Sequence, residues 1–351
     1  MSKARQKKPS KRGKGKGKGR FRRLALRTAA VLAAVLVLWG WAGEWFVHHP
    51  WAWHVEQSQR WPNALLAPLY LIGNPLADIT DGLGWTGHDA VYEYDCEAPA
   101  NSVLFAGAPT RIGAPAPNDI RTLDRGEFLV GWSDTLKHPV WVAYHVKKEA
   151  VFPASRLSSF TQDRTVPAAP RPDAYKGSGY DRGHMAPNYA IVTRYGEAEQ
   201  RQTFQMSNIA PQSPALNRGV WREIEHRIAD LWTARYGEIW VVVGCISTPA
   251  KDNRLPDSGI DVPTHFYQVI VAQEGMDVRA LAVLYPQNIP WSAWPARNII
   301  TIAELQKLTG LDFNPELPSF LADPLESDLP SRLWPVKPFD VFRQFLIRYS
   351  Y

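Results

Sequence analysis

Residues 239–246 read IWVVVGCI, eight residues without a charge and rich in β-branched side chains. Runs of the same kind recur at 265–272 (HFYQVIVA) and 279–286 (RALAVLYP), and two precede it, EFLVGW at 127–132 and PVWVAYHV at 139–146. Apolar runs of this length are too short for typical helices and too β-branched to favour them, so they read as strands of a sheet buried on its faces. SVLFAG at 102–107 reads as a further strand. Between the strands, 217–236 places Val220, Trp221, Ile224, Ile228, Leu231 and Trp232 at helical spacing, and TIAELQKLTG at 301–310 predicts a short helix ending at Gly310. The pattern is that of an α+β domain around a mostly antiparallel sheet.

The charge is unevenly divided. The 351 residues carry a formal net charge of +6, but the first 27 hold 13 Lys and Arg and no acid. The remainder has 40 − 13 = 27 basic against 34 acidic residues, a net of −7. Any binding of phosphates by the body must therefore rest on a local patch and not on its overall field. The basic stretch, 1–23, reads as a disordered tail. It is followed by an uncharged segment, TAAVLAAVLVLWGWAG at 28–43, extended by apolar residues to 24–47. Length and flanking charge predict a single transmembrane helix, with the body on the extracytoplasmic, periplasmic side; the alternatives are a cleaved signal peptide on a secreted protein, an organelle-targeting segment, and a nucleic-acid-binding tail on a soluble protein. Residues 48–90 read as a membrane-proximal connector, 91–315 as the functional domain and 316–351 as a Pro-rich extension. Cys96 and Cys245 are the only cysteines, and two cannot establish a disulfide.

The chemistry concentrates in YDRGHMAPN, 180–188, in what reads as a loop. His184 titrates near neutrality and suits a general base. Arg182 offers a planar fork of donors for a phosphate, Gly183 permits close backbone approach, and Asp181 can orient a neighbouring group. Downstream, Asn208 lies in a loop and Asn217 and Glu225 lie on one side of the helix predicted over 217–236. A neutral oxygen and a carboxylate together suit a hard, hydrated cation. Taken singly, each of these residues has a structural reading as well: an Arg–Asp ion pair, a satisfied histidine, a helix cap, a solvated helix face.

YDRGHMAPN, then MSNIAPQ at 206–212, then LNRGVWREIE at 216–225, resembles the DNA/RNA non-specific endonucleases with the ββα-metal fold. The ordered set, with matching strands, covers about 91–315. The resemblance implies His184 as the base that activates water, Asn217 as the direct protein ligand of Mg²⁺, and Glu225 as the holder of metal-bound waters. It further implies Arg182 as the phosphate contact and Asn208 as an active-site asparagine that places the base or the substrate. Where some members carry an additional upstream arginine, Lys147 and Lys148 are the nearby candidates. The implied activity is metal-dependent, sequence-non-specific hydrolysis of DNA and RNA, with Mn²⁺ able to substitute for Mg²⁺ and a homodimer as the assembly. The competing expectations are a catalytically inactive, membrane-tethered nucleic-acid-binding protein and a phosphodiesterase acting on a non-nucleic substrate.

Overall fold

The computed structural model describes residues 88–94, 102–247, 253–291 and 293–336. Its strands are β1 (Ala90–Glu93), β2 (Thr110–Arg111), β3 (Ile120–Asp124), β4 (Phe128–Ser133), β5 (His138–Val146), β6 (Asp181–His184), β7 (Ile209–Gln212), β8 (Ile239–Ile246), β9 (His265–Glu274), β10 (Asp277–Pro286), β11 (Ile299–Ile300) and β12 (Leu311–Asp312). The principal helices are α1 (Asn188–Tyr195), α2 (Glu197–Thr203), α3 (the continuous helical run 214–236), α4 (Ile302–Thr309) and α5 (Ser319–Ser327).

The large sheet runs β1-β10-β9-β8-β5-β4-β3, with β11 beside β10, and every pairing is antiparallel. Its central strands are largely apolar because both faces are covered, with His145 and Gln268 among the buried exceptions. On β5, Val142, Tyr144 and Val146 enter one core while Trp141 and Ala143 enter the other. On β9, Phe266 and Ile270 face the first and Tyr267, Val269 and Val271 the second. This is the period-2 alternation of a strand with apolar cover on each side. The first face is roofed by α3, whose Trp221, Ile224, Ile228, Leu231 and Trp232 are buried there. Each buried Ile or Leu of that stripe stabilises the packing by about 1.5–3 kcal/mol. The second is covered by Ile302 and Leu305 of α4, Phe313, and Leu325 of α5. The chain after α5 returns to the first core: Trp334 is buried, and Trp232 and Tyr236 donate to the carbonyls of Trp334 and Pro335 at 2.9 and 2.6 Å.

Several sequence expectations need correction. SVLFAG forms no strand; Phe105 instead packs a ring against Trp240 at 5.3 Å. The 180–188 segment is not purely a loop, because Asp181–His184 is a strand paired with β7. That pairing is made with residues 25 or more positions away and has no local signature. Segment 24–47, from which a transmembrane helix was expected, lies outside the described residues. Among the described residues no helix is long and apolar enough to cross a membrane. The longest helical run, α3, is apolar on one side only and carries Arg218, Arg222, Glu223, Glu225, Arg227 and Asp230 elsewhere.

Candidate active site

The site is built from a two-stranded ribbon laid beside the start of α3. In β6–β7, Asp181 opposes Gln212, Gly183 opposes Ala210 and His184 opposes Ile209. Gly183 is required by close approach: a Cβ there would lie 2.0 Å from the Gln212 side-chain oxygen. Side-chain alternation along β6 puts Arg182 and His184 on the same face.

Asn208 is fully buried and locks the turn that follows His184. Its Oδ1 accepts from the Ala186 amide at 2.8 Å, and its Nδ2 donates to the carbonyls of Ala186 and Thr203 at 3.0 and 2.9 Å. The side chain is spent on backbone groups and does not line the cleft.

His184 sits in an aromatic slot, 5.2 Å from the Phe160 ring and 4.8 Å edge-on from Phe204. Burial, and then the positive charge of Arg156, push its pKa down to about 3, which makes the ring neutral at ordinary pH. Its buried Nε2 has no protein hydrogen-bond partner. Arg182 is exposed, with its guanidinium 4.5 Å above the Phe160 ring.

Asn217 opens a π-helical stretch, Asn217–Trp221, in which Gly219 leaves helical geometry at φ −97° and ψ −116°. Such irregular turns inside α-helices are frequent at functional sites. The Asn217 amide is oriented by Asp181: Nδ2 donates to Oδ2 at 2.9 Å, which turns the amide oxygen away from that carboxylate. Arg218 donates to both Asp181 oxygens at 2.8 and 2.6 Å. Burial alone would raise the Asp181 pKa, but the bonds from Arg218 and Asn217 outweigh it and hold the group below its ordinary value.

Glu225 is the opposite case. It reaches the cleft with part of its surface, but its carboxyl is otherwise enclosed, and burial pushes its pKa up to about 8 despite the Trp221 indole and the charges of Arg156 and Arg222. The cause is burial, and a cation beside the carboxyl would favour its ionised form. Among the described residues no cluster of three His, Cys, Asp or Glu is placed to hold a metal. The oriented amide oxygen of Asn217 and the carboxylate of Glu225 form a sparse, all-oxygen donor set, which fits a hard cation that retains most of its water.

These groups share one cleft of about 470 Å³, lined among others by Arg156, Arg182, His184, Asn217, Arg222 and Glu225. Arg156, Arg182, Arg218 and Arg222 face two carboxylates, Asp181 and Glu225, so the patch is locally basic on an acidic body. Arg156 escaped the sequence reading because VFPASRLSS carries no recognisable pattern; only its position on the cleft identifies it. Lys147 lies elsewhere, its Nζ 4.7 Å above the Tyr195 ring, and neither Lys147 nor Lys148 lines the cleft.

Known proteins resemble the chain over the region that carries this cleft. The family model for DNA/RNA non-specific endonucleases matches residues 106–320. The mitochondrial nuclease EXOG of Mus musculus is 30% identical over 197 residues, 51% of this chain and 53% of that protein. Mitochondrial endonuclease G of Bos taurus is 27% identical over 239 residues, 60% and 79% of the two chains. The mitochondrial nuclease of Saccharomyces cerevisiae is 30% identical over 234 residues, 59% and 69%. The match spans about half the length of the mouse relative. Among solved structures, that of the EndoG/EndoGI complex superposes with a TM-score of 0.51 at 24% identity, covering 59% of this chain and 90% of that one. The shared fold is a mixed α/β architecture around an antiparallel sheet. The expected localisation, a single-pass membrane protein with the domain on the extracytoplasmic side, is corrected by these relatives, which are named as mitochondrial nucleases.

Proposed function

The chain belongs to the DNA/RNA non-specific endonuclease family, and from that premise we propose that it hydrolyses phosphodiester bonds in DNA and RNA, without sequence preference, in a divalent-cation-dependent reaction. The catalytic unit is the domain over 91–315. The observation that carries this reading is the meeting, in one cleft, of a neutral imidazole, an enclosed carboxyl of raised pKa, an oriented amide oxygen and four arginines.

Arg182 and Arg156 hold the non-bridging oxygens of the scissile phosphate; guanidinium donors suit that geometry. His184 accepts a proton from the water that attacks phosphorus. With a pKa near 3 in the free protein it would be a weak base. The arriving phosphate carries negative charge into the slot, offsets Arg156, and raises the basicity of the ring as the substrate binds. Asn208 keeps the turn after His184 in place, and Asp181 keeps the Asn217 oxygen presented. A bound Mg²⁺ or Mn²⁺, held by Asn217 directly and by Glu225 through water, would stabilise charge on the phosphate and the departing oxygen. Recognition by phosphate contacts leaves the base edges unread, which accounts for the absence of sequence preference.

The test is cleavage of supercoiled plasmid and of RNA by the purified protein. Both substrates are expected to be cut in Mg²⁺, spared in chelator with circular dichroism unchanged, and cut again when Mg²⁺ or Mn²⁺ is restored. A folded, Mg²⁺-supplied protein that cuts neither would overturn the proposal.

A further inference from the structure

A second cavity, of about 430 Å³, adjoins the cleft and shares Asp181 and Arg182 with it. Its remaining wall is the segment 172–180, which the hydrolytic chemistry does not use. We propose that this cavity is a strand-binding subsite for the nucleotide flanking the scissile phosphate, with Lys176 taking its phosphate and Tyr180 its base or sugar. The proposal rests on the nuclease reading of the cleft and adds to it the path of the substrate.

Three observations support it. First, the wall is a built structure. Tyr175 is buried in a small core with Met206, Ile209, Leu255, Ile260 and Val262, against which Tyr180 also packs. The turn between these tyrosines is held by Ser178, whose Oγ donates to the Tyr175 carbonyl at 2.8 Å and accepts from the Tyr180 amide at 3.2 Å. Gly177 and Gly179 have φ of 75° and 80°, the left-handed region that glycine adopts without strain. Neither has anything within 4 Å of where a Cβ would stand. They are therefore needed for the shape of the turn and not for packing, and the surface they present is open to a ligand.

Second, the charge is right. Lys176 is exposed and makes no ion pair with any described residue. The two carboxylates on the cavity are each engaged: Asp181 by Arg218 and Asn217, and Asp173 by Arg171 at 3.6 Å. Lys176 and Arg182 are left as the cations that face an incoming anion. Third, Arg182 stands between the two cavities, tied toward the second by a 3.5 Å contact from its Nη1 to the Pro172 carbonyl. A polynucleotide passing over it would place consecutive phosphates on either side. The volume is that of a pocket for a single small ligand, so the occupant is one nucleotide of a single or locally unwound strand.

The experiment is a binding titration that needs no turnover. Fluorescence anisotropy of a labelled octathymidylate is followed with the His184→Ala protein, alone and combined with Lys176→Ala, Tyr180→Ala or Tyr180→Phe. Lys176→Ala and Tyr180→Ala are each expected to weaken binding about tenfold, the scale of one lost stacking or phosphate contact. Tyr180→Phe, which keeps the ring, restores most of the affinity. Lys176→Ala also reduces the slope of log K against log salt by about 0.7, the value for one phosphate on a single strand. A purely structural effect would leave that slope unchanged. Unchanged affinity in both alanine variants, or a loss with no change of salt slope for Lys176→Ala, overturns the subsite. If the variants behave as expected but the unsubstituted protein cuts no nucleic acid, the subsite stands and the hydrolytic reading falls instead.

Discussion

Both faces of the central sheet carry apolar cores, but they differ in the polar groups they enclose. Against the face covered by α4 and α5 lie Val140, Val269, Val271, Ala280, Ala282, Leu305 and Phe313, a conventional apolar core. Under α3 and the β6–β7 ribbon, Tyr144 and Tyr285 bury hydroxyls, and Gln268 buries both amide atoms, without a protein partner. The enclosed carboxyl of Glu225 lies on the same side, close enough that its charge raises the Tyr144 pKa further after burial has done so. An unpartnered buried polar group costs about 1–3 kcal/mol. Both faces supply apolar burial; what sets the face beneath the cleft apart is its gathering of unpartnered polar groups, with the Trp141 indole nitrogen the exception on the other face.

The largest effect on stability belongs to the face covered by α4 and α5. Leu305→Ala, at a fully buried position, should lower the unfolding free energy by about 2–5 kcal/mol. Nicking rate per folded molecule should not change; chemical denaturation and a plasmid assay measure the two quantities. A large fall in that rate would mean that the faces are not separable. Asn208→Ala comes next. It leaves the Ala186 amide and two carbonyls unpaired, with an expected loss of about 1–3 kcal/mol. Here cleavage falls as well, because the turn after His184 loosens. Normal cleavage would show that the turn holds without it.

A third effect is opposite in sign and sharpens the contrast. The Glu225 pKa is raised to about 8 in the folded protein, so between its unfolded value near 4.5 and about 8 the folded state holds a proton that the unfolded state has released. That contribution is full below the unfolded pKa and is lost as pH rises through the folded one. In chelator, Glu225→Gln should therefore match the parent near pH 4 and melt higher than it above pH 8, while cutting less in Mg²⁺. Equal melting temperatures at high pH would show that the carboxyl is not held against its preference.

Much of the scaffold was legible in the sequence. Residues 239–246, 265–272 and 279–286 form strands where their apolar runs predicted them, because a strand covered on both faces takes few polar residues. The α3 helix was equally visible from its buried stripe, but the π-helical stretch at Asn217–Trp221 was not. Regular spacing assumes regular turns, and the irregularity is local backbone geometry around Gly219. The β6 strand was missed because its partner lies across α1 and α2 in sequence. Of the site residues, Arg182, His184, Asn217 and Glu225 meet in the cleft, and each stood in a motif. Asn208 stood in one too, yet it works from inside the fold. Arg156 stood in none; it reaches the site through a loop whose sequence carries no pattern.

The role proposed for His184 is chemical and not structural. The most direct measurement is the plasmid-nicking rate of His184→Ala per folded molecule in Mg²⁺, with the unfolding transition recorded on the same preparation. Loss of a general base should lower the rate by about 10²–10⁴-fold. The transition should stay close to the parent's, since removing the ring also removes a buried nitrogen without a partner. Nicking near the parental rate by a folded His184→Ala protein would contradict that role.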